Sequence, residues 1–175
     1  MNEHLWTHTD EEWQEHLSKF SSADFGWAAG FFDGEGCITV GRTKKPLNRD
    51  AWFSVRFLLT NTHRGALERF QDMFRGTISA RKQIPGRQQI YQLRLDGKLC
   101  ERCLEALLPH STVKRVQIDA ALTMRKLLTS NDPRKGVPQS VYDELGRLHS
   151  VVIAANGRSY RQPSHVSDGY VAIEV

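Results

Sequence analysis

Cysteine is scarce in this chain. Three residues in 175 cannot all pair, which argues against a disulfide framework. Cys100 and Cys103 form a single C-x-x-C with no second pair, and they share one helical stripe with Leu104, Leu107 and Leu108. That stripe predicts two core thiols; a metal or redox role would need partners such as His110. Long apolar runs are also missing: none approaches the roughly 20 residues needed to span a bilayer, so no membrane partner is expected. The start of the chain, with Glu3, Asp10, Glu11 and Glu12, lacks the basic and apolar regions of a signal peptide, and an intracellular, soluble protein is expected. Positive charge is nearly absent up to Cys37, where Lys19 alone stands against eight acidic residues.

The middle of the chain reverses that balance. Between Arg42 and Arg94 there are twelve basic residues and three acidic ones, an asymmetry that the net charge of +4 conceals. A basic block after an acidic opening implies a polyanion-binding face, and nucleic acid is the natural partner. A hydrophobic fraction of 39% and four tryptophans support a folded chain, at a length suited to one domain with a real core.

Periodicity predicts the element order. Thr9 and Glu12 have capping-box spacing before a helix over 10–20, and an apolar helix follows from about Asp24 to Asp33. Strands are expected over 37–43 and 52–60, the second alternating Phe53, Val55, Phe57 and Leu59 against Ser54, Arg56, Leu58 and Thr60. A helix over 62–74 leads to two further strands, roughly 77–82 and 88–95. Helices then return over 98–108 and 112–129, the latter with a stripe of Val113, Val116, Ala120, Met124 and Leu127. A last helix begins at Pro138 and ends at Asn156-Gly157. The order predicts an α+β fold, one antiparallel sheet with helices on one face and a polar face left open. Domain bounds are expected at 1–23 for an N-terminal helical extension, 24–157 for the main domain and 158–175 for a tail.

The most distinctive stretch is Trp27-Ala28-Ala29-Gly30-Phe31-Phe32-Asp33-Gly34-Glu35-Gly36-Cys37-Ile38. Small residues at Gly26, Ala28, Ala29 and Gly30 leave one side of the helix nearly bare, so another backbone can approach closely. Asp33 and Glu35 then fall at the negative end of the helix macrodipole, where carboxylates are unfavourable without a compensating cation. The segment reads as a close-packed helix pair delivering carboxylates to a metal.

Ala28 to Gly36 resembles the LAGLIDADG motif in its variant ending Asp-Gly-Glu-Gly, and the chain resembles the single-motif LAGLIDADG homing endonucleases. The resemblance spans roughly 24–129, where the αββαββα order is that of the family's curved antiparallel saddle. It implies a site-specific double-stranded DNA endonuclease that hydrolyses phosphodiesters with a divalent metal and leaves 3′ overhangs, and whose gene is intron-encoded or otherwise mobile. By the same resemblance Glu35 and the main-chain oxygen of Gly34 are metal ligands. Lys114 matches a basic residue near the scissile phosphates, and Asn61 matches a polar residue that positions water. Mg²⁺ is the implied cofactor, with Mn²⁺ able to substitute and Ca²⁺ binding without supporting cleavage. One basic position expected after Arg64 is instead Gly65. Asp33 reads as a structural tie between the helix end and neighbouring backbone.

One motif supplies one such carboxylate. Asp96-Gly97 and Asp168-Gly169 follow no small-residue helix, so a second site must come from a second chain. The expectation is a homodimer crossing at Gly26, Ala29, Gly30 and Asp33, acting on a long, near-palindromic site. Thr39, Thr43, Ser54, Arg56, Ser79, Arg81, Gln92 and Arg94 are expected on the base-reading face. Lys44, Lys45, Arg49, Lys82 and Arg87 at hairpin tips are expected on phosphates. The rival is a non-cleaving protein of the same fold, an intron RNA maturase or a DNA-binding regulator. A purely structural role for the glycine-rich helix is a third, disfavoured by the charge asymmetry.

Overall fold

The computed structural model describes residues 9–44, 51–131 and 137–157. Lys45, Arg49 and the tail from Arg158 therefore lie outside the described residues, as does the side chain of Lys44. Helix α1 (Asp10–Leu17) opens in the expected capping box, Thr9 N–H donating to Glu12 Oε2 at 2.8 Å and Glu12 N–H to Thr9 Oγ1 at 3.2 Å. It stops at Leu17, short of the expected Phe20. Helix α2 (Ser22–Glu35) starts two residues earlier than expected because Ser21 and Asp24 form a second capping box. Hydrogen bonds from the Ser21 hydroxyl and amide, and then from Arg69, hold the Asp24 carboxyl at about 2.

Strands β1 (Gly36–Lys44) and β2 (Ala51–Asn61), helix α3 (Arg64–Phe74), strands β3 (Thr77–Ala80) and β4 (Tyr91–Asp96) follow in turn. Helices α4 (Gly97–Leu107), α5 (Arg115–Ser130) and α6 (Gln139–Ala155) complete the described chain. The four strands form one antiparallel sheet in the order β1-β2-β4-β3. Alternation sorts the side chains as read from sequence. Ile38, Val40, Phe53, Val55, Phe57, Leu59, Leu93 and Leu95 are buried beneath the helices, and the other parity forms an open face.

An aromatic column holds the helices to the sheet: Phe32 stacks on Phe57 at 4.6 Å, Phe57 on Phe70 at 5.4 Å, and Phe70 meets Phe74 at 4.8 Å. Cys100 and Cys103 are fully buried on the α4 stripe, and burial pushes the Cys100 thiol to about 12.

Helix α1 shares this core. Trp13 and Leu17 are buried with the rest, and the guanidinium of Arg102 reaches Asp10 at 2.7 Å while lying 5.4 Å from the Trp13 ring. His16 Nε2–H donates to the carbonyls of Asp72 and Met73, both at 3.0 Å, pinning the helix to the end of α3. His4 and His8 lie outside the described residues.

Two expectations are overturned. Val113 and Val116 do not belong to the buried stripe of α5; they are 70% and 58% exposed. The helix begins only at Arg115, so Val113 precedes it, and the buried face runs through Ile118, Ala121, Leu122 and Met124. The β3–β4 pair is also shorter than expected. The ladder proper ends at Ala80 and Tyr91, and the arm beyond is held by Arg81 N–H to the Ile90 carbonyl and by the Gln89 amide.

Candidate functional site

The site is built around the C-terminal tip of α2. A helix end leaves its last carbonyls without intrahelical partners. Here Gly36 N–H closes on the Phe32 carbonyl, and the Asp33 carbonyl accepts from the Lys114 ammonium. That ammonium also lies 5.6 Å from the Phe32 ring centre. Lys114 therefore supplies the cation that the negative helix end requires.

The Asp33 carboxylate is spent within its own chain. Oδ1 accepts from Ser111 Oγ at 2.6 Å and Lys114 N–H at 3.1 Å, while Oδ2 accepts from Thr112 N–H at 2.8 Å and Val113 N–H at 3.1 Å. Burial alone would raise its pKa, but the donors from Ser111, Thr112, Val113 and Lys114 outweigh burial and hold the carboxyl below its ordinary value. Three consecutive amides around one anion form a small nest just ahead of α5, whose own N-cap residue, Lys114, offers no side-chain cap.

Glu35, two residues on, is exposed and its side chain has no hydrogen-bond or ion-pair partner among the described residues. Gly34 beside it is also exposed, and a Cβ built there would meet nothing within 4 Å. A hard carboxylate and an accessible carbonyl at one tip suit a divalent cation such as Mg²⁺, which takes one or two carboxylates and keeps several waters. Among the described residues no group of three or more His, Cys, Asp or Glu comes together, so one chain offers only a partial set.

Gly36 makes the tip possible. A Cβ there would stand 2.1 Å from Phe32 Cδ2 and 2.6 Å from the Phe32 carbonyl oxygen, so only glycine lets β1 leave α2 at this angle. Asn61 lies at the same end of the sheet, two residues past Leu59, the register partner of Gly36. Its Oδ1 accepts from His63 N–H at 2.8 Å, and His63 Nδ1 in turn caps α3 by accepting from Ala66 N–H. Arg64 pairs with Glu68 at 2.8 Å and does not replace the basic side chain missing at Gly65.

The small-residue face of α2 is narrower than the sequence suggested. Ala28 and Ala29 are fully buried in the chain's own core and Asp33 is turned to Ser111–Lys114, which removes Ala29 and Asp33 from the open side. The exposed stripe is Gly26, Gly30 and Gly34, each with nothing within 4 Å of an added Cβ.

Of the expected base-facing residues, Thr39, Thr43, Ser54, Arg56, Ser79, Gln92 and Arg94 share the open parity of the sheet. Register places them in rows: Gly41 beside Ser54, Thr39–Arg56–Asp96, Cys37–Leu58–Arg94–Thr77, and Thr60–Gln92–Ser79. Gln92 donates to Thr60 Oγ1 at 3.3 Å. Arg81, Lys82 and Arg87 are exposed on the β3–β4 arm. Asp96 was not anticipated: Oδ1 lies 3.3 Å from Arg56 Nε and Oδ2 lies 2.5 Å from Arg94 Nε. Its only sequence signal was position, two residues beyond Arg94 on an alternating strand.

No family model matches the sequence, and no curated protein matches it. Solved structures do. The homing endonuclease I-CvuI bound to the I-CreI target in 2 mM Mg, with its DNA not cleaved, shares 26% identity at a TM-score of 0.64, over 80% of this chain and 86% of that one. The same enzyme with its own target in Ca aligns over 86% of this chain and 89% of that one, at 25% identity and a TM-score of 0.64. The archaeal intron-encoded homing endonuclease I-Vdi141I complexed with DNA, at 17% identity, shares the fold with a TM-score of 0.65 over 81% of this chain and 89% of that one.

Proposed function

We propose, from the premise that this chain has the fold and motif of the single-domain LAGLIDADG homing endonucleases, that it is a DNA endonuclease acting as a homodimer on a long, near-palindromic site. The observation that carries the reading is the contrast at the tip of α2. The Asp33 carboxylate is consumed in fixing that tip and the Lys114 ammonium spends one of its three donors there, while Glu35 is exposed with no partner among the described residues.

The open stripe of Gly26, Gly30 and Gly34 would let two such helices cross at backbone distance, with the exposed Val113 and Val116 adding apolar contact beside the crossing. Crossing there brings two Glu35 carboxylates close together, and like charges at short range favour cation binding between them. A divalent ion, Mg²⁺ with Mn²⁺ able to substitute, would be held by Glu35 and the Gly34 carbonyl; it supplies activation of water and neutralisation of the leaving oxygen. Ca²⁺ would bind there without supporting cleavage. The Lys114 ammonium stabilises negative charge developing on the phosphate nearby. Asn61 uses its Oδ1 within the chain, leaving its side-chain NH₂ to orient a water molecule. The open sheet face lies along one half-site in the major groove, its side chains reading base edges, with Arg81, Lys82 and Arg87 on phosphates. Strand breaks staggered across the minor groove leave 3′ overhangs. Among the described residues no helix is long and apolar enough to cross a membrane.

Cleavage of a randomised duplex library by wild type and Glu35→Gln, in Mg²⁺ and in EDTA, tests this. A near-palindromic site cut only by wild type and only with Mg²⁺ supports it. Full cutting by Glu35→Gln refutes the assigned ligand, and selective binding without cutting in any metal would identify a regulator instead.

A further inference from the structure

We infer that Asp96 is a positioning residue that aims Arg56 and Arg94 at two guanines of the half-site; the inference rests on the DNA-binding reading above. Three observations support it. First, Asp96 sits within the basic open face, opposite Arg56 across the β2–β4 ladder and two residues from Arg94 on the same parity. Second, it engages both arginines through Nε, at 3.3 and 2.5 Å. Third, it occupies the N-cap position of α4 yet makes no capping hydrogen bond. An aspartate at an N-cap ordinarily accepts from the first-turn amides; this one faces the arginines instead.

The chemistry follows from which nitrogen is used. Arg94 Nε is hydrogen-bonded to the carboxylate and Arg56 Nε is ion-paired with it, so each guanidinium keeps its Nη1–Nη2 edge for an end-on bidentate contact, and guanine O6 and N7 are the matching acceptors in the major groove. The shared carboxylate also offsets the repulsion between two neighbouring cations and disfavours phosphate at that spot. Arg56 and Arg94 lie in adjacent open-face rows, about 6.8 Å apart along the strand direction and so roughly two base steps apart. Without Asp96 both side chains are free to swing to the phosphates, exchanging base readout for unspecific affinity.

The test is selection of bound duplexes from a randomised library by wild type, Arg56→Ala, Arg94→Ala and Asp96→Asn, with the salt dependence of binding measured for each. Asp96→Ser, which offers α4 a capping hydroxyl, serves if Asp96→Asn does not fold. Wild type should select two guanines per half-site, one lost in each arginine variant. The Asp96 variant should lose preference at both positions about tenfold, within the discrimination one bidentate contact provides. It should also steepen the salt dependence by roughly one to two phosphate contacts at about 0.9 each. A role confined to folding would move neither quantity. Unchanged guanine preference in the Asp96 variant overturns the inference while leaving the DNA reading intact, as does a selected site with no guanine that depends on Arg56 or Arg94. A wild-type protein that selects no sequence removes both.

Discussion

Replacing Asp33 by Asn removes one charge and almost no volume, and it strikes the junction that holds the tip of α2 against the start of α5. The carboxylate accepts from four donors at 2.6 to 3.1 Å, three of them backbone amides. An Asn oxygen can serve only one side of that nest. If the new NH₂ replaces Oδ1, the Ser111 hydroxyl can turn to accept from it, but the Lys114 amide loses its acceptor. If it replaces Oδ2, the Thr112 and Val113 amides both do. The milder outcome costs about 1–2 kcal/mol for the orphaned amide, and conversion of the remaining bonds from charge-assisted to neutral costs a further 1–2 kcal/mol. The total is about 3 kcal/mol, or about 6–12 °C in Tm for a chain of this length. Circular dichroism melts at one fixed protein concentration measure it. The sign with pH is also set. The folded pKa of Asp33 lies below its unfolded value of about 3.9, so its stabilisation is complete above that pH and is lost as pH falls through the folded value. Wild type and Asp33→Asn should therefore differ fully at pH 7 and converge in acid. A shift under about 2 °C, or a gap that persists unchanged into acid, would refute the assignment.

Gly36→Ala should cost about 3 kcal/mol, near the upper end for overpacking, because its Cβ meets a backbone carbonyl and the buried Phe32 ring; a melt within about 2 °C of wild type would contradict this. Gly30→Leu points into open space, so its isolated chain should gain up to about 1 kcal/mol of helix propensity, while losing whatever stability the dimer adds. In sedimentation it should run as a monomer, and a persistent dimer would place the interface elsewhere. His16 is held below its ordinary pKa first by burial and then by Arg75, and His149 first by burial and then by Arg42. Both contribute stability that is present above about pH 6.5 and lost as pH falls toward their folded values. Melting temperature should drop between pH 7 and 5, and a His16→Gln, His149→Gln double variant should flatten that slope.

The element order was legible because each segment carries its own period. The alternation of Phe53, Val55, Phe57 and Leu59 could fit only a one-sided strand, and the structure buries all four. The αββαββα order and the single open sheet face follow from such local signals. Val113 and Val116 were misplaced because a 3.6 period does not tell where a helix begins, and the nest around Asp33 delays α5 to Arg115. The stripe on α2 was read too broadly for a related reason. A helix of small residues looks bare on every side, and only the packed chain shows that Ala28 and Ala29 lie in the core while Gly26 and Gly30 do not. Asp96 escaped because a lone acid beside a glycine has no motif; its meaning arises from a cross-strand neighbour forty residues away in sequence, Arg56.

Successive residues on a helix are about 100° apart, so Asp33 and Glu35 at the end of α2 leave the axis about 200° from each other. The motif therefore carries two addresses rather than a pair of equivalent acids: one is answered inside the chain, the other is turned to the surface. Adding or deleting a single residue between them would leave both acids in the chain but turn one by about 100° about the axis relative to the other. The interval is thus as much a part of the arrangement as the acids themselves.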